Sequence, residues 1–369
     1  MATATSSRID DVRAKMAERG VDLVAIAPSD SLTYVLGFSP LPDERMCLLL
    51  VSERDTVFVV PALNAEQSSQ HAPSDLTFLA WADDEGFEQA LRDGLSRVAP
   101  GGARRVAADP LMRADHLMQL QARVPGNPEY VDAETVLREL REVKSGPELE
   151  LLKASALTAD RAMVAALEAC RAGVTELDVA AAASAEFRAA GADAVSFTIA
   201  AAGPNGALPH HHTSKRVIEN GEPVVIDIGG KREGYCSDLT RMALVGDPPA
   251  ECFEVCEVVE AAVVAALATA RPGVTAGDVD AAARGVIDAA GYGEYFVHRT
   301  GHGLGISVHE PPWIMRGNTE VLREGMVFSI EPGIYLPGRF GVRLEEIVFA
   351  TADGCERFSE LTRAPHLSA

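Results

Sequence analysis

Nowhere in this chain do about 18 apolar residues run uninterrupted, the length that a membrane-spanning helix needs. The first residues, Met1 to Ser7, are small and polar and lack the apolar core of a secretory leader. A cytoplasmic protein with no membrane partner is therefore expected. Basic residues are also scarce: 33 Lys and Arg stand against 54 Asp and Glu, a net charge of −21. Nucleic acids and anionic membranes both demand a basic footprint, so a small molecule or a peptide is the expected partner. Cysteine is sparse as well. Cys47, Cys170, Cys236, Cys252, Cys256 and Cys355 are scattered through a long chain, unlike the frameworks of small secreted domains. Cys252 and Cys256, four apart in a helical stretch, read as packing thiols.

What is present is core material: 369 residues, 47% of them hydrophobic, with room for two domains. Ile9, Val12 and Met16 have helical spacing over residues 8–20, and Val21 to Ile26 reads as a strand after Gly20. Strands at Met46–Val51, Thr56–Val60 and Arg105–Ala108, with helices over 83–98 and 110–122, continue an alternation that predicts an α/β domain. No catalytic constellation falls in it. Ser145-Gly146-Pro147-Glu148 combines an N-cap serine, an early proline and an acid three residues after the cap, so a long helix should run from there to about Cys170. Domains of residues 1–142 and 143–369 are expected.

The second domain repeats itself. Arg171-Ala172-Gly173-Val174-Thr175-Glu176-Leu177-Asp178-Val179-Ala180-Ala181-Ala182-Ala183 recurs as Arg271-Pro272-Gly273-Val274-Thr275-Ala276-Gly277-Asp278-Val279-Asp280-Ala281-Ala282-Ala283, with nine of thirteen positions identical. The core Arg-x-Gly-Val-Thr-x-x-Asp-Val points to duplication rather than shared alanine content.

Each half carries two acids. Val224 to Gly229, a turn and a return from Tyr235 to Arg241 form a hairpin signature. With its centre between Arg232 and Glu233, Asp227 and Asp238 fall opposite one another, with Cβ atoms about 5 Å apart. Such carboxylates repel unless a cation lies between them. At an offset of 104 residues Asp227 corresponds to Glu331, and a hairpin centred on Gly338 sets Glu331 opposite Glu345. Four carboxylates about a pseudo-two-fold axis make a cage for two divalent ions about 3.5–4 Å apart. The Gly-rich stretch Thr300 to Gly305 offers His302 on a flexible backbone as one further ligand. Oxygen donors with one nitrogen favour Mn²⁺ or Co²⁺ over zinc. His210 and His309, matched at an offset of 99, would flank the ions and offer neutral donors to a reacting carbonyl.

These residues resemble the motif set of the M24 metallopeptidases. Ala207-Leu208-Pro209-His210, Asp227 and Asp238 eleven apart, His302 and His309 seven apart, Phe328-Ser329-Ile330-Glu331-Pro332-Gly333 and Arg343-Leu344-Glu345 carry the likeness. Within the family the chain is most similar to the proline-specific branch, Xaa-Pro dipeptidase (prolidase) and aminopeptidase P. The resemblance implies an α+β fold: a C-terminal pita-bread domain with an internal pseudo-two-fold repeat, behind a smaller α/β creatinase-like N-terminal domain. It implies Asp227, Asp238, His302, Glu331 and Glu345 as metal ligands, with Asp238 and Glu345 bridging two ions, Mn²⁺ first and Co²⁺ or Zn²⁺ next. His210 and His309 would hold the substrate carbonyl and the tetrahedral intermediate, Glu331 would shuttle the proton, and Arg343 would support the site from beside Glu345. The implied substrates are small proline-containing peptides, and a homodimer is implied by the same resemblance.

The chain departs from that branch at one place. Many prolidases and short aminopeptidases have an arginine four residues after the second histidine, able to bind a substrate carboxylate, and here Trp313 stands there, with Arg316 the nearest basic residue in sequence. Xaa-Pro dipeptidase is the expected activity, with Xaa-Pro aminopeptidase on longer peptides as the alternative. A metal-independent hydrolase like creatinase, a lyase on the same fold and a non-catalytic binding protein are more distant, because all five ligand positions are filled.

Overall fold

The computed structural model describes residues 2–70, 72, 73 and 76–368; Met1 lies outside them. The chain divides into two compact units, Met1–Arg141 and Glu142–Ala369.

In the first unit, α1 (Ala2–Arg19) buries Ile9, Val12 and Met16 and stops at Gly20, whose φ of 61° lies in the left-handed region. There follow β1 (Leu23–Ile26), α2 (Asp30–Leu36), β2 (Leu48–Ser52), β3 (Thr56–Pro61), α3 (Ala62–Ser69), β4 (Thr77–Trp81), α4 (Glu88–Val98), β5 (Arg105–Ala108), α5 (Ala114–Gln121), β6 (Glu129–Asp132) and α6 (Glu134–Glu142). The strands form one mixed sheet in the order β4-β3-β2-β1-β5-β6. Both expected helices start later than their composition implies. Gly86, at φ 76°, breaks the first, and the second is held off by a turn in which Leu111 N–H donates to Asp109 Oδ1 at 2.8 Å. Helices α2, α3 and α6 and strands β4 and β6 are short and carry no long periodic pattern, so the sequence did not mark them.

The second unit opens with α7 (Gly146–Ala169), whose cap is the reciprocal pair of Ser145 and Glu148 that the sequence predicts. Helix α8 (Glu176–Ala189), β7 (Ala194–Ala202), β8 (Pro223–Arg232) and β9 (Tyr235–Val245) complete the first half. The second half comprises α9 (Ala250–Thr269), α10 (Ala276–Ala289), β10 (Gly301–Gly303), β11 (Glu310–Ile314), β12 (Val327–Ile330), β13 (Gly333–Leu336), β14 (Phe340–Arg343), β15 (Glu346–Ala350) and β16 (Cys355–Arg357). A last strand, β17 (His366–Ser368), returns to the first half in a sheet ordered β17-β9-β8-β7; the other sheets are β11-β10-β12-β15-β16 and β13-β14. Each half thus packs two helices on a largely antiparallel sheet over its own buried cluster.

The duplication is visible in local chemistry. Thr175 and Thr275 cap α8 and α10 through identical reciprocal bonds to Asp178 and Asp278. Each threonine also makes an isolated bridge, Thr175 to Val217 and Thr275 to Val321, the two valines again 104 residues apart. Cys252 and Cys256 are buried free thiols in the core of the second half, as their spacing implied.

The hairpin of β8 and β9 is shifted from the expected register. Arg232 pairs with Tyr235, so the turn is centred between Glu233 and Gly234, both at positive φ (50° and 81°). This two-residue turn matches the right-handed twist of the strands. Asp227 consequently pairs with Thr240, and Asp238 with Gly229. The two acids are diagonal rather than opposed. A shift of two positions preserves the face on which a side chain lies, so both still point the same way. In the second half, Ile330 pairs with Glu346 and Gly333 with Arg343, one register throughout. Glu331 and Glu345 sit at the break between those ladders, where their backbone N–H groups donate to Thr300 O (2.7 Å) and Thr240 O (3.3 Å).

Candidate metal centre

Five expected ligands converge. Atoms of Asp227, Asp238 and Glu345 lie within 4.8 Å of one another, as do those of His302, Glu331 and Glu345, and those of Asp238, His302 and His309. Two hairpins from the two halves supply the acids, and β10 supplies the imidazole.

His302 is not on a flexible loop. It is buried in β10, paired on both sides, because its flanking glycines allow close approach: a Cβ on Gly301 would collide with Ser329 O. His302 N–H donates to Ser329 Oγ at 2.9 Å, and the ring Nδ1 lies 3.0 Å from Gly303 O. A carbonyl only accepts, so Nδ1 carries the proton and Nε2 presents a lone pair. That Nε2 faces Glu331 Oε1 at 3.2 Å and Asp238 Oδ2 at 3.8 Å. A lone pair aimed at two carboxylates calls for a cation between them.

The electrostatics agree. Burial pushes Asp238 well above the usual carboxylate range, and the charges of Glu345, Asp227 and Glu331 push the same way. Glu345 is raised by burial and then by Glu331 and Asp227. Glu331 moves oppositely in the ion-free site when His302 is protonated on both nitrogens: burial raises it, but the hydrogen bond and charge of that imidazolium, with help from His298 and Arg343, bring it down to about 2. Asp227 Oδ1 and Glu345 Oε1 are buried without a hydrogen-bond partner among the described residues. Each such orphan costs about 1–3 kcal/mol. Divalent ions satisfy both oxygens and the histidine lone pair at once, so the donor set fits them.

A supporting layer escaped sequence reasoning. Asp227 Oδ2 accepts from Arg343 Nη2 at 2.6 Å, and Arg343 Nη1 donates to Tyr335 Oη at 2.8 Å. Tyr335 Oη lies 2.8 Å from His298 Nε2, while His298 Nδ1 lies 2.7 Å from Arg299 O. The carbonyl fixes the proton on Nδ1, so Tyr335 donates to Nε2 and accepts from Arg343. Thr240 joins the two hairpins: its hydroxyl accepts from Arg343 Nε (3.2 Å) and donates to Glu345 Oε2 (2.9 Å). Arg343 is therefore bound to Asp227, not merely placed beside Glu345. The available signal was the period of two, which puts Thr240 on the face of Asp238.

The flanking histidines differ. His309 is exposed on its outer side yet stands against the His302 ring, centroids 4.1 Å apart, and desolvation of that inner face together with His302 and Arg299 lowers its pKa to about 4. His210 is exposed, near enough to act electrostatically on His309 and His298. Its loop is pinned by its neighbour. His211 Nε2 lies 2.9 Å from Glu176 Oε2, and Glu176 also accepts from Ala202 N–H, Asn205 Nδ2 and Ser214. Burial raises the pKa of Glu176, and these donors outweigh it to leave it lowered. Position 176 is one of the four where the repeat fails to match, Glu against Ala276, a clue available in the sequence. At the departure noted above, Arg299 rather than Arg316 accompanies Trp313, its guanidinium 4.4 Å from the ring centroid.

A duplicated α+β fold whose halves converge on buried carboxylates and an imidazole is the plan of a metal-dependent hydrolase. The chain belongs to metallopeptidase family M24, whose profile matches residues 150–352, while residues 8–143 match the Creatinase/Prolidase N-terminal domain. Its second unit is a pita-bread domain, and family membership makes it a divalent-metal peptidase. A Mycobacterium bovis protein named "Probable dipeptidase PepE" is 40% identical over 347 residues, 92% of this chain and 90% of the relative. An Xaa-Pro dipeptidase of Lactobacillus delbrueckii subsp. lactis is 34% identical over 96% of this chain and 97% of its own. The crystal structure of a prolidase from Thermococcus sibiricus superimposes with a TM-score of 0.92 at 35% identity, covering 98% of each chain.

Proposed function

We propose that this chain is an Xaa-Pro dipeptidase holding two divalent ions, with residues 143–369 as its catalytic domain and 1–142 as its creatinase-like companion. The observation that carries the metal chemistry is the pair of orphaned oxygens, Asp227 Oδ1 and Glu345 Oε1, inside a cluster of four acids and one imidazole. The relatives named Xaa-Pro dipeptidase and prolidase support the substrate. Asp227, Asp238, His302, Glu331 and Glu345 would hold the ions in this reading. Four carboxylates and a single nitrogen favour Mn²⁺, with Co²⁺ and Zn²⁺ next. Homodimeric assembly and a cytoplasmic setting belong to the same reading; no helix among the described residues is long and apolar enough to cross a membrane.

Divalent ions supply Lewis acidity and a nucleophile derived from water near neutral pH. The chain's own groups do the rest. Glu331 Oε1 is held by Ser329 Oγ (3.0 Å) and faces His302, which leaves Oε2 to take a proton and deliver it to the departing imide nitrogen. His309, neutral with a pKa near 4, offers an N–H to the carbonyl oxygen as charge develops there, and His210 reaches it from the loop that Glu176 pins. Arg343 grips Asp227 Oδ2 and so keeps that carboxylate aimed inward. A peptide nitrogen of proline has no N–H, so a site that grips the carbonyl instead of that group suits this bond.

The test is a peptide panel with Mn²⁺, Co²⁺ and Zn²⁺ on wild type and Asp238→Ala. Wild type should cleave Xaa-Pro dipeptides, and Asp238→Ala should be inactive with every metal. A strong preference for Xaa-Pro-Xaa tripeptides would replace the dipeptidase reading with an aminopeptidase.

A further inference from the structure

A dipeptide differs from the start of a longer peptide in one respect: a carboxylate stands where the chain would continue. In an Xaa-Pro dipeptide that carboxylate is one residue beyond the scissile carbonyl, about 3.8 Å of chain. The cation that reads it must therefore stand within about a residue of the metal ligands, and its charge must be uncommitted.

Most cations on this side of the second unit are committed. Arg343 is spent on Asp227, Tyr335 and Thr240. Arg284 makes paired bonds to Asp280 and donates to the carbonyls of Phe296 and His298. Lys144 is buried against Glu310 at 2.5 Å. Arg316 lies exposed, beyond the end of β11. Arg299 is different. It is half-buried, and no hydrogen bond or ion pair of its guanidinium occurs among the described residues; the face of Trp313, 4.4 Å away, holds it in place.

The sheet register puts this cation beside the metal centre. Trp313 is the cross-strand partner of His302, so the two side chains share a face with Cβ atoms about 5 Å apart. Glu331 and His309 both lie within electrostatic range of Arg299. A half-buried guanidinium without an anion is costly to keep unless an anion arrives. We infer that Arg299, held over Trp313, is the specificity-determining residue that binds the C-terminal carboxylate of the dipeptide. The inference rests on the dipeptidase reading and deepens it: in a longer peptide a neutral amide would meet Arg299, and the charge would stay unpaired.

The test compares Ala-Pro with Ala-Pro amide on Mn²⁺-loaded wild type, Arg299→Gln and Arg299→Lys. Loss of a charge-assisted hydrogen bond predicts that Arg299→Gln raises KM for Ala-Pro about 10- to 100-fold, with little change in kcat or in KM for the amide. Arg299→Lys should recover part of the loss, as a point charge without the fork. In parallel, calorimetric binding of L-proline to the loaded protein should weaken by a similar factor in Arg299→Gln, while L-prolinamide binding stays unchanged. An acid-to-amide ratio unchanged by Arg299→Gln overturns the inference and leaves the function intact. If wild type cleaves no Xaa-Pro peptide, the function falls, and the proline titration alone decides: equal proline affinity in wild type and Arg299→Gln overturns the inference too.

Discussion

Replacing Thr240 by valine would keep the shape of a buried side chain and delete one hydroxyl between the two hairpins. That hydroxyl donates to Glu345 Oε2 at 2.9 Å and accepts from Arg343 Nε at 3.2 Å. In Thr240→Val a carboxylate oxygen and a guanidinium N–H, both buried, lose their partner, at about 1–3 kcal/mol each. Groups that orient metal ligands typically account for about 10–100-fold in metal affinity, and the same range is expected here. The pH dependence sharpens the test. The Thr240 hydrogen bond favours the ionised form of Glu345, whose pKa burial and neighbouring charges already raise. Its removal raises the proton affinity further, and protons compete with the ion. The deficit in Mn²⁺ affinity should therefore widen as pH falls and narrow as it rises. Calorimetric titration of metal-free wild type, Thr240→Val and Thr240→Ser across pH would measure it, with serine expected near wild type. Equal Mn²⁺ affinity of wild type and folded Thr240→Val at every pH would refute the role given to this hydroxyl.

Chelation has a signed effect on stability. Asp238 and Glu345, raised in the ion-free fold, stabilise it fully below their unfolded values near about 4, and that contribution is lost as pH climbs through their raised folded values. The gap in melting temperature between Mn²⁺-loaded and chelated protein should therefore grow with pH; a gap constant between pH 5 and 8 would contradict it. Glu331 acts oppositely, its contribution lost only as pH falls toward about 2. Glu176→Ala should strip the acceptor from Ala202 N–H, Asn205, Ser214 and His211, costing roughly 3 kcal/mol or more in urea unfolding and lowering kcat through the displaced His210 loop. Full activity in Glu176→Ala would show that the loop needs no such anchor.

Much of the site was legible because its spacing is local. Asp227 and Asp238 lie on one short hairpin, and the repeat carried that pattern to Glu331 and Glu345 without knowledge of the fold. Even the misjudged turn did no harm to the face assignment, since the true register differs by two residues and the side-chain period of a strand is two. What stayed hidden was long-range. Glu176 is 35 residues from His211, and Thr240 is 105 from Glu345. Arg299 meets Trp313 only because β10 and β11 fold back at His302.

The sequence by itself determined the duplicated half, the four acids with His302, and the caps that begin α7, α8 and α10, since each is written in neighbouring residues. Tertiary structure alone decided the shifted proton affinities of Asp238, Glu331 and Glu345, the tautomer of His302, the ion pair of Arg343 with Asp227 and the placing of Arg299 over Trp313 beside the metal face. Those are properties of burial and of charges brought together from distant positions, and a linear spacing holds no information about either.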